Sequence, residues 1–232
     1  MCLHFLSSFP LRFSGIFRTQ HTRNAVNLDV DPRFQCFVSD ITIRSGTLDR
    51  VELLIAGNIA KTALTHNRAY RIDGEVGVGG RDTVSILFKD AAHTISFDHA
   101  AVDLSLLCNK VSAQGIGQIV DWSRRSAYGG STNVEVIRVH HRSLAGNPVV
   151  FAADYILTPY MTLPLCHNAL AIGNIISLRG HVIGHNMENN IWEIERYRAF
   201  IAIGTLDAAN GSVVTLRFLR SIDRNSMIGH IS

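Results

Sequence analysis

The chain has 232 residues, of which 47% are hydrophobic and 18% are charged, and its formal net charge is +3. This composition excludes an intrinsically disordered chain, and the length allows one large domain or two small ones. The small net charge, taken alone, also excludes a strong electrostatic field that would attract a polyanion. The basic residues are nineteen arginines and three lysines. Arginine binds phosphates bidentately, although genome composition can produce the same bias.

Residues 1–28 contain no Asp or Glu and carry Arg12, Arg18 and Arg23 among serines and apolar residues. Such a composition is typical of an organellar transit peptide, with a basic arm or an ordinary N-terminal strand as alternatives. We therefore expect an intracellular protein of the nucleus or the mitochondrion. No apolar run reaches the roughly eighteen residues of a membrane span, so none is expected.

The first half of the chain mostly alternates apolar and polar residues. Residues 33–43 and 51–55, separated by a Ser-Gly turn signal, predict a hairpin. Residues 69–78 predict a strand centred on Gly74, and residues 83–88 a returning strand. Apolar residues at spacings of three and four after Asp98 predict the one clear helix, which Gly115 and Gly117 would end.

The second half starts again with the same kinds of element. Residues 116–122 predict a strand, and residues 123–131 a hairpin loop or a linker. Residues 134–139 and 149–157 predict a second hairpin. A strand at 175–184, centred on Gly180, is followed by its partner at 191–194. Asn210-Gly211 predicts a tight turn before a last strand at 213–219.

The two glycine-centred strands lie close to half the chain length apart, which suggests two similar β modules. The predicted fold class is mainly β, with two tandem OB-like small barrels and one helix, because many short strands with frequent turns are typical of barrels. The predicted bounds are an N-terminal arm or targeting segment at 1–28, a first module at 29–128 and a second at 129–232. A single large β-sandwich is the alternative.

The residues 70–76 (Tyr-Arg-Ile-Asp-Gly-Glu-Val) and 176–182 (Ile-Ser-Leu-Arg-Gly-His-Val) resemble a strand of tandem OB-fold proteins of the replication-protein-A kind. In that family the first barrel strand often has a glycine between apolar residues, where the strand coils around the barrel. A glycine tolerates this bend because it has no Cβ. The resemblance implies single-stranded nucleic-acid binding or protein–protein scaffolding.

Single-strand binding needs cationic side chains beside aromatic stacking platforms. The candidate binding residues are Arg68, Tyr70, Arg71, Arg81, Lys89, Trp122, Arg124, Arg125, Tyr128, Arg179, Arg196 and Arg198. The strongest group lies at 122–128, where an exposed indole could stack on a base while arginines contact phosphates. Burial of Trp122 in the core is the alternative, and for Trp192 the core interpretation is favoured because isoleucines flank it.

No motif for nucleophilic catalysis or phosphate cradling is present. His181 and His185 share a strand face, but they lack the four-ligand spacing of a zinc site. Glu193 and Glu195 also share a face, as in some metal-dependent nucleases, although surface charge on a strand is commoner. The four cysteines have no metal or redox spacing, which favours free thiols. We therefore expect no enzyme activity, no cofactor and no metal.

The leading hypothesis is a non-enzymatic protein that binds single-stranded DNA or RNA through arginine–phosphate contacts and aromatic stacking. The alternative is a structural or protein-interaction β-sandwich that self-assembles or scaffolds a complex. A hydrolase or nuclease is a third and less favoured hypothesis, because no catalytic motif supports it.

Overall fold

The computed structural model of the chain describes residues 8–28, 30–45, 47–61, 64–79, 84–97, 102–126, 133–145, 149–157, 170–203 and 217–223. Most of this part of the chain is in β-strands, as the alternation of apolar residues predicts. The strands are β1 Leu11–Thr19, β2 Thr22–Arg23, β3 Phe34–Ser45, β4 Thr47–Asn58, β5 Arg68–Val78, β6 Ser85–Lys89, β7 Ile95–Phe97, β8 Ser112–Ser126, β9 Asn133–Ser143, β10 Val149–Leu157, β11 Ile175–Asn186, β12 Ile191–Ile203 and β13 Arg217–Asp223.

Five strands of the second half close into a barrel, hereafter the C-terminal barrel. β8, β9 and β10 are successive antiparallel neighbours, β10 pairs in parallel with β12, β12 pairs with β11, and β11 returns to β8. A five-stranded barrel of this kind is the OB architecture. The prediction of a mainly β chain with an OB-like barrel is confirmed, and the single β-sandwich is wrong.

The N-terminal unit has five main strands, β1, β3, β4, β5 and β6, which repeat this order of pairing; the two-residue β2 is not counted among them. β3 pairs with β4, β4 pairs in parallel with β6, β6 pairs with β5, and β5 pairs with β1. The last step, from β1 to β3, has no long ladder within the described residues. The contact between this part of the chain and β3 comes from β2, which pairs with β3, and from the Gln20 amide, which donates to the Val38 carbonyl at 2.8 Å. The tandem arrangement of two barrels stays a prediction.

The two units share one sheet, because β1 pairs with β5 on one side and with β8 on the other. Residues 11–19 of the segment predicted as an arm therefore form a central strand, in which Leu11, Phe13 and Phe17 are buried. β8 belongs by its ladders to the C-terminal barrel. In the described residues the strand pairing changes unit before Ser112. The domain bounds that the sequence gives, with a boundary at residue 129, stay a prediction.

The two patterned glycines occupy one row of this shared sheet. Phe13 on β1 lies opposite Gly74 on one side and Ala113 on the other, and Ala113 lies opposite Gly180. Gly74 and Gly180 are therefore on the fourth strand of their units, not on the first as the resemblance implied. A Cβ at Gly74 would lie 2.6 Å from the Phe88 carbonyl oxygen, and one at Gly180 would meet the Glu195 carbonyl oxygen. Each glycine permits close approach of the next strand.

One apolar core runs through both units. It includes Phe13, whose ring meets the Trp192 ring edge-on with centroids 5.3 Å apart. The indole Nε1 of Trp192 donates to the Ser85 hydroxyl on β6 at 2.9 Å. Trp192 is 1% exposed, which confirms its predicted core position. Glu75 adds a polar tie between the units, because its carboxylate accepts from the Ser143 hydroxyl at 2.7 Å.

The predicted helix after Asp98 is wrong for the residues that the structure describes, which begin again at residue 102. This part holds one 3-10 turn, Leu104–Leu107. Leu106 is 71% exposed, so this residue adds no buried contact that could hold a longer helix. Val111, which the helical spacing placed on the apolar face, is instead buried beside the start of β8.

Candidate nucleic-acid interface

An exposed face on the C-terminal barrel is formed by outward residues of β8, β9 and β10. Because alternate residues of a strand point to opposite faces, Val139 and His141 are buried while their neighbours His140 and Arg142 point outward. Arg142 lies opposite Val150, which is 58% exposed. We name this surface the β9–β10 patch. It comprises Gln118, His140, Arg142, Val150 and Ala152.

The β9–β10 patch combines a cationic group with exposed apolar surface. Within the described part of the chain, the Arg142 guanidinium has no carboxylate partner. His140 and Val150 are exposed, and Gln118 and Ala152 are half-buried. Such a surface can pair a cation with a phosphate and place aliphatic groups against a sugar or a base.

Beside the β9–β10 patch, on the same three strands, charged side chains lie opposite one another. Asp121, Arg138 and Asp154 lie opposite one another on β8, β9 and β10. Arg138 forms a bidentate pair with Asp154, at 2.8 and 3.1 Å, and this hydrogen bonding raises the pKa of Arg138. The guanidinium is therefore already neutralised by a nearly buried carboxylate.

The group predicted at residues 122–128 is only partly brought together. Trp122 is 40% exposed, which excludes full burial in the core. Trp122 and Arg124 point to the same face of β8, since they are two residues apart. Arg125 points to the other face, where it pairs with the buried Glu193 at 2.9 Å. Tyr128 lies outside the described residues.

Arg124 also has a carboxylate partner. Its Nη2 donates to the Glu135 carboxylate at 2.9 Å, directly across the β8–β9 ladder. The Arg124 side chain is 68% exposed, so the pair is a solvated one, typically worth less than about 1 kcal/mol. A phosphate could therefore compete with Glu135 for Arg124 far more easily than with Glu193 for Arg125.

The candidates of the N-terminal unit do not form one surface. Arg68 and Arg71 are exposed on β5. Tyr70 is 3% exposed, and its hydroxyl accepts from the Thr65 amide at 3.0 Å, so it offers no stacking face. Burial lowers the pKa of Lys89, which is half-buried on β6. Arg81 lies outside the described residues.

The remaining candidates lie near the shared sheet. Arg196 and Arg198 belong to β12, and the described backbone places them opposite Gly180 and Arg179 on β11. Arg179 lines a hollow of about 340 Å³ between β1, β5, β8 and β11. The sequence does not indicate the other residues of this hollow, because the four strands are distant from one another in the chain. The hollow is lined by Arg12, Phe13, Ser14, Asp73, His93, Ser112, Ala113, Gln114 and Arg179.

This hollow has mixed charge. Arg12 approaches Asp90 at 3.7 Å. One carboxylate oxygen of Asp73 is buried and has no hydrogen-bond partner among the described residues. A phosphate entering between Arg12 and Arg179 would meet this uncompensated oxygen. The hollow thus lacks the single sign of charge that concentrates a polyanion.

The residues considered for a metal or a nuclease site have structural contacts. His185 contacts the Trp192 ring, with centroids 4.2 Å apart, and burial lowers its pKa. Glu193 is buried against Arg125, whereas Glu195 is exposed. Within the described ranges, no three His, Cys, Asp or Glu side chains are grouped as metal ligands would be.

No helix among the described residues is both long and apolar enough to cross a membrane. The chain matches no protein-family model and no curated protein sequence. Its fold is similar to solved structures of the single-stranded DNA binding protein from Thermus aquaticus. A deletion mutant of that protein is 10% identical, with a TM-score of 0.45, and the match covers 94% of this chain and 97% of the other. The wild-type protein is 10% identical with a TM-score of 0.43, covering 92% and 93%.

Proposed function

We propose that this chain is a non-enzymatic protein that binds single-stranded DNA or RNA on the C-terminal barrel. The observation that carries the proposal is the exposed β9–β10 patch. β9 and β10 are the second and third strands of the barrel, and this is the face on which OB barrels bind oligonucleotides. Arg142 and Val150 lie opposite each other at its centre.

The proposed mechanism uses few contacts. Arg142 neutralises one backbone phosphate, and Arg124 leaves Glu135 to bind a second phosphate. Trp122, 40% exposed on the extension of β8, lies opposite Ile137 and so points to the other face of the β8–β9 ladder from Arg142. It stacks on one base where the nucleic acid passes around the end of β8 and β9, and Arg124 lies on the same face as Trp122. Stacking of this kind contributes about 1–3 kcal/mol per base and reads little sequence. Arg125 and Arg138 stabilise the barrel through their ion pairs with Glu193 and Asp154, and they make no ligand contact in this mechanism.

Fluorescence anisotropy of a labelled oligothymidine titrated at several salt concentrations tests the proposal. We expect binding that weakens as salt increases, because neutralising each phosphate releases counterions. Arg142→Ala should reduce the slope of log affinity against log salt by about 0.7, the contribution of one single-strand phosphate. Trp122→Ala should weaken binding by about 1–3 kcal/mol and leave that slope unchanged.

Arg50→Ala is the matched control, because the Arg50 side chain is 56% exposed and lies on the N-terminal unit. It should change neither affinity nor slope beyond a small general effect. Thermal unfolding of each variant checks that the fold is intact. Absence of binding at low salt, or binding that does not respond to salt, would overturn the proposal.

A further inference from the structure

Part of the outward face of the N-terminal unit, at the end of β3 and β4 away from their hairpin turn, is covered by the chain itself. Outward residues of β3, β4 and β6 form a second apolar cluster, separate from the shared core. Over them lie Ala25, Leu28 and Val30, which are 8%, 3% and 7% exposed. The covered residues are Cys36, Val38, Leu54, Ala56, Ile86 and Phe88.

The covering segment, residues 24–28 and 30–33, is fixed by its own hydrogen bonds. Residues Ala25–Leu28 form a 3-10 turn, and the Val30 amide donates to the Ala25 carbonyl at 3.1 Å. At its end the Asp31 carboxylate accepts from the Arg33 backbone amide at 2.8 Å. Before it, the Val38 amide donates to the His21 carbonyl at 2.8 Å, which ties the entry of the segment to β3. Opening this face would expose a continuous apolar surface.

The burial of Cys36 shows how closely the covering segment packs against β3. Its side chain is fully buried on β3 beneath the covering segment, and burial raises the pKa of its thiol to about 11. A thiol under a loosely held loop would remain in contact with water.

Beyond the cover, the outward face of β3 and β4 carries paired charges. Arg23 contacts Glu52 at 3.2 Å, and Arg50 approaches Asp40 at 3.9 Å. Gln20 also donates to Asp40, at 3.4 Å. The carboxylates neutralise the arginines here, so a phosphate backbone would gain no net attraction.

The C-terminal barrel differs on its outward face. Val150 and His140 are exposed on the outward face of β10 and β9. β8 and β9 stay paired as far as Ser126 and Asn133. The two units therefore repeat the same strand order but differ on their outward faces. In the N-terminal unit part of the face is covered and the arginines beyond the cover are paired, whereas in the C-terminal barrel Val150 is exposed.

We propose that the chain carries a single oligonucleotide face, on the C-terminal barrel, and that the N-terminal unit is a scaffold whose own outward face is occupied in part by the covering segment and elsewhere carries arginines that are already paired with carboxylates. This inference rests on the proposed function and adds a stoichiometry of one short oligonucleotide per chain. It also places all phosphate contacts on the C-terminal barrel.

Two matched variants test the inference. Val150 on β10 and Leu48 on β4 are both exposed aliphatic residues on the outward face of the third strand of their units, at 58% and 49% exposure. Val150→Glu and Leu48→Glu each add one negative charge with little cost to folding. Native mass spectrometry with an oligothymidine of about ten nucleotides, within the range that one OB fold covers, gives the number bound per chain.

We expect one oligonucleotide per chain, at least a roughly tenfold loss of affinity for Val150→Glu, and less than a twofold loss for Leu48→Glu. Two bound per chain would overturn the inference and leave the proposed function standing. Equal losses in the two variants would do the same. An unmodified chain that binds no oligothymidine at low salt would overturn the proposed function itself.

Discussion

At the scale of single residues, a buried polar pair shapes the interior of the C-terminal barrel. His141 is enclosed, its Nδ1 donates to the Ile116 carbonyl at 2.8 Å, and its Nε2 accepts from the Tyr155 hydroxyl at 3.1 Å. Burial lowers the pKa of His141 to about 4. A Cβ at Gly115 would lie 2.6 Å from both the imidazole and the Tyr155 hydroxyl oxygen, so the glycine leaves room for the pair.

His141 should make stability depend on pH. Its pKa is about 4 in the folded protein and about 6.5 in the unfolded chain. The unfolded chain therefore takes up the proton first as pH falls. The contribution of His141 to the free energy of unfolding should be at its maximum above about pH 6.5. It should fall by about 3 kcal/mol towards pH 4 and level off below that pH.

Denaturant unfolding of the unmodified protein and of His141→Gln at pH 7.0, 5.5 and 4.5 measures this contribution. Carboxylates titrate in both proteins, so the difference between the two curves isolates His141. The variant should be less stable at neutral pH and lose less stability on acidification. Parallel curves would show that the imidazole is not held neutral by burial.

At the scale of elements, the patterned glycines set how closely neighbouring strands pack. Gly74 faces the backbone of β6 and Gly180 that of β12. At both positions the obstacle to a Cβ is a carbonyl oxygen, which cannot rotate away as a side chain can. The shared sheet therefore depends on both glycines, although they lie in different units.

Gly74→Ala and Gly180→Ala should each lower the free energy of unfolding by about 1–3 kcal/mol, because an added methyl group forces the strands apart. Urea unfolding measures the loss. Ser177→Ala is the control, since Ser177 is on β11, where it is half-buried, and already has a Cβ. A stable Gly180→Ala protein would show that β11 and β12 can separate without cost.

Local pairing explains which elements were predictable. The hairpin of β3 and β4 joins neighbours in sequence, so its alternation and turn residues indicated it. For β1 the sequence left a targeting segment, a basic arm and an ordinary strand open, because its partners at Arg68–Val78 and Ser112–Ser126 are not revealed by a local pattern. The pairing of the candidate binding residues was hidden for a related reason. The carboxylate nearest to Arg125 in the sequence is Asp121, but the fold brings the distant Glu193 to it.

At the scale of the whole molecule, the two units share a sheet and a core. The Phe13–Trp192 contact and the bond from Trp192 to Ser85 cross between the units. Glu75 also holds the start of the β9–β10 turn through the Leu144 amide at 3.0 Å. Neither unit can lose its structure without exposing apolar surface of the other.

The protein should therefore unfold in one cooperative transition. Scanning calorimetry of Phe37→Leu, in the N-terminal core, and of Ile137→Val, in the C-terminal core, tests this. Each variant should shift a single transition to lower temperature, with calorimetric and van't Hoff enthalpies in agreement. Ile137→Val should cost about 0.5–1.5 kcal/mol. Splitting into two transitions in either variant would show that the units are independent.

The position of β1 has a consequence for synthesis on the ribosome. β1 is made before the other strands of the shared sheet, yet one of its two neighbours, β8, follows roughly a hundred residues later in the chain. At a translation rate of about 5–20 residues per second, its open side waits several seconds for that partner. An unpaired strand edge is a template for wrong pairing between nascent chains. The N-terminal third should accordingly depend on chaperones, or on wide spacing between ribosomes on one message, until residue 115 has emerged.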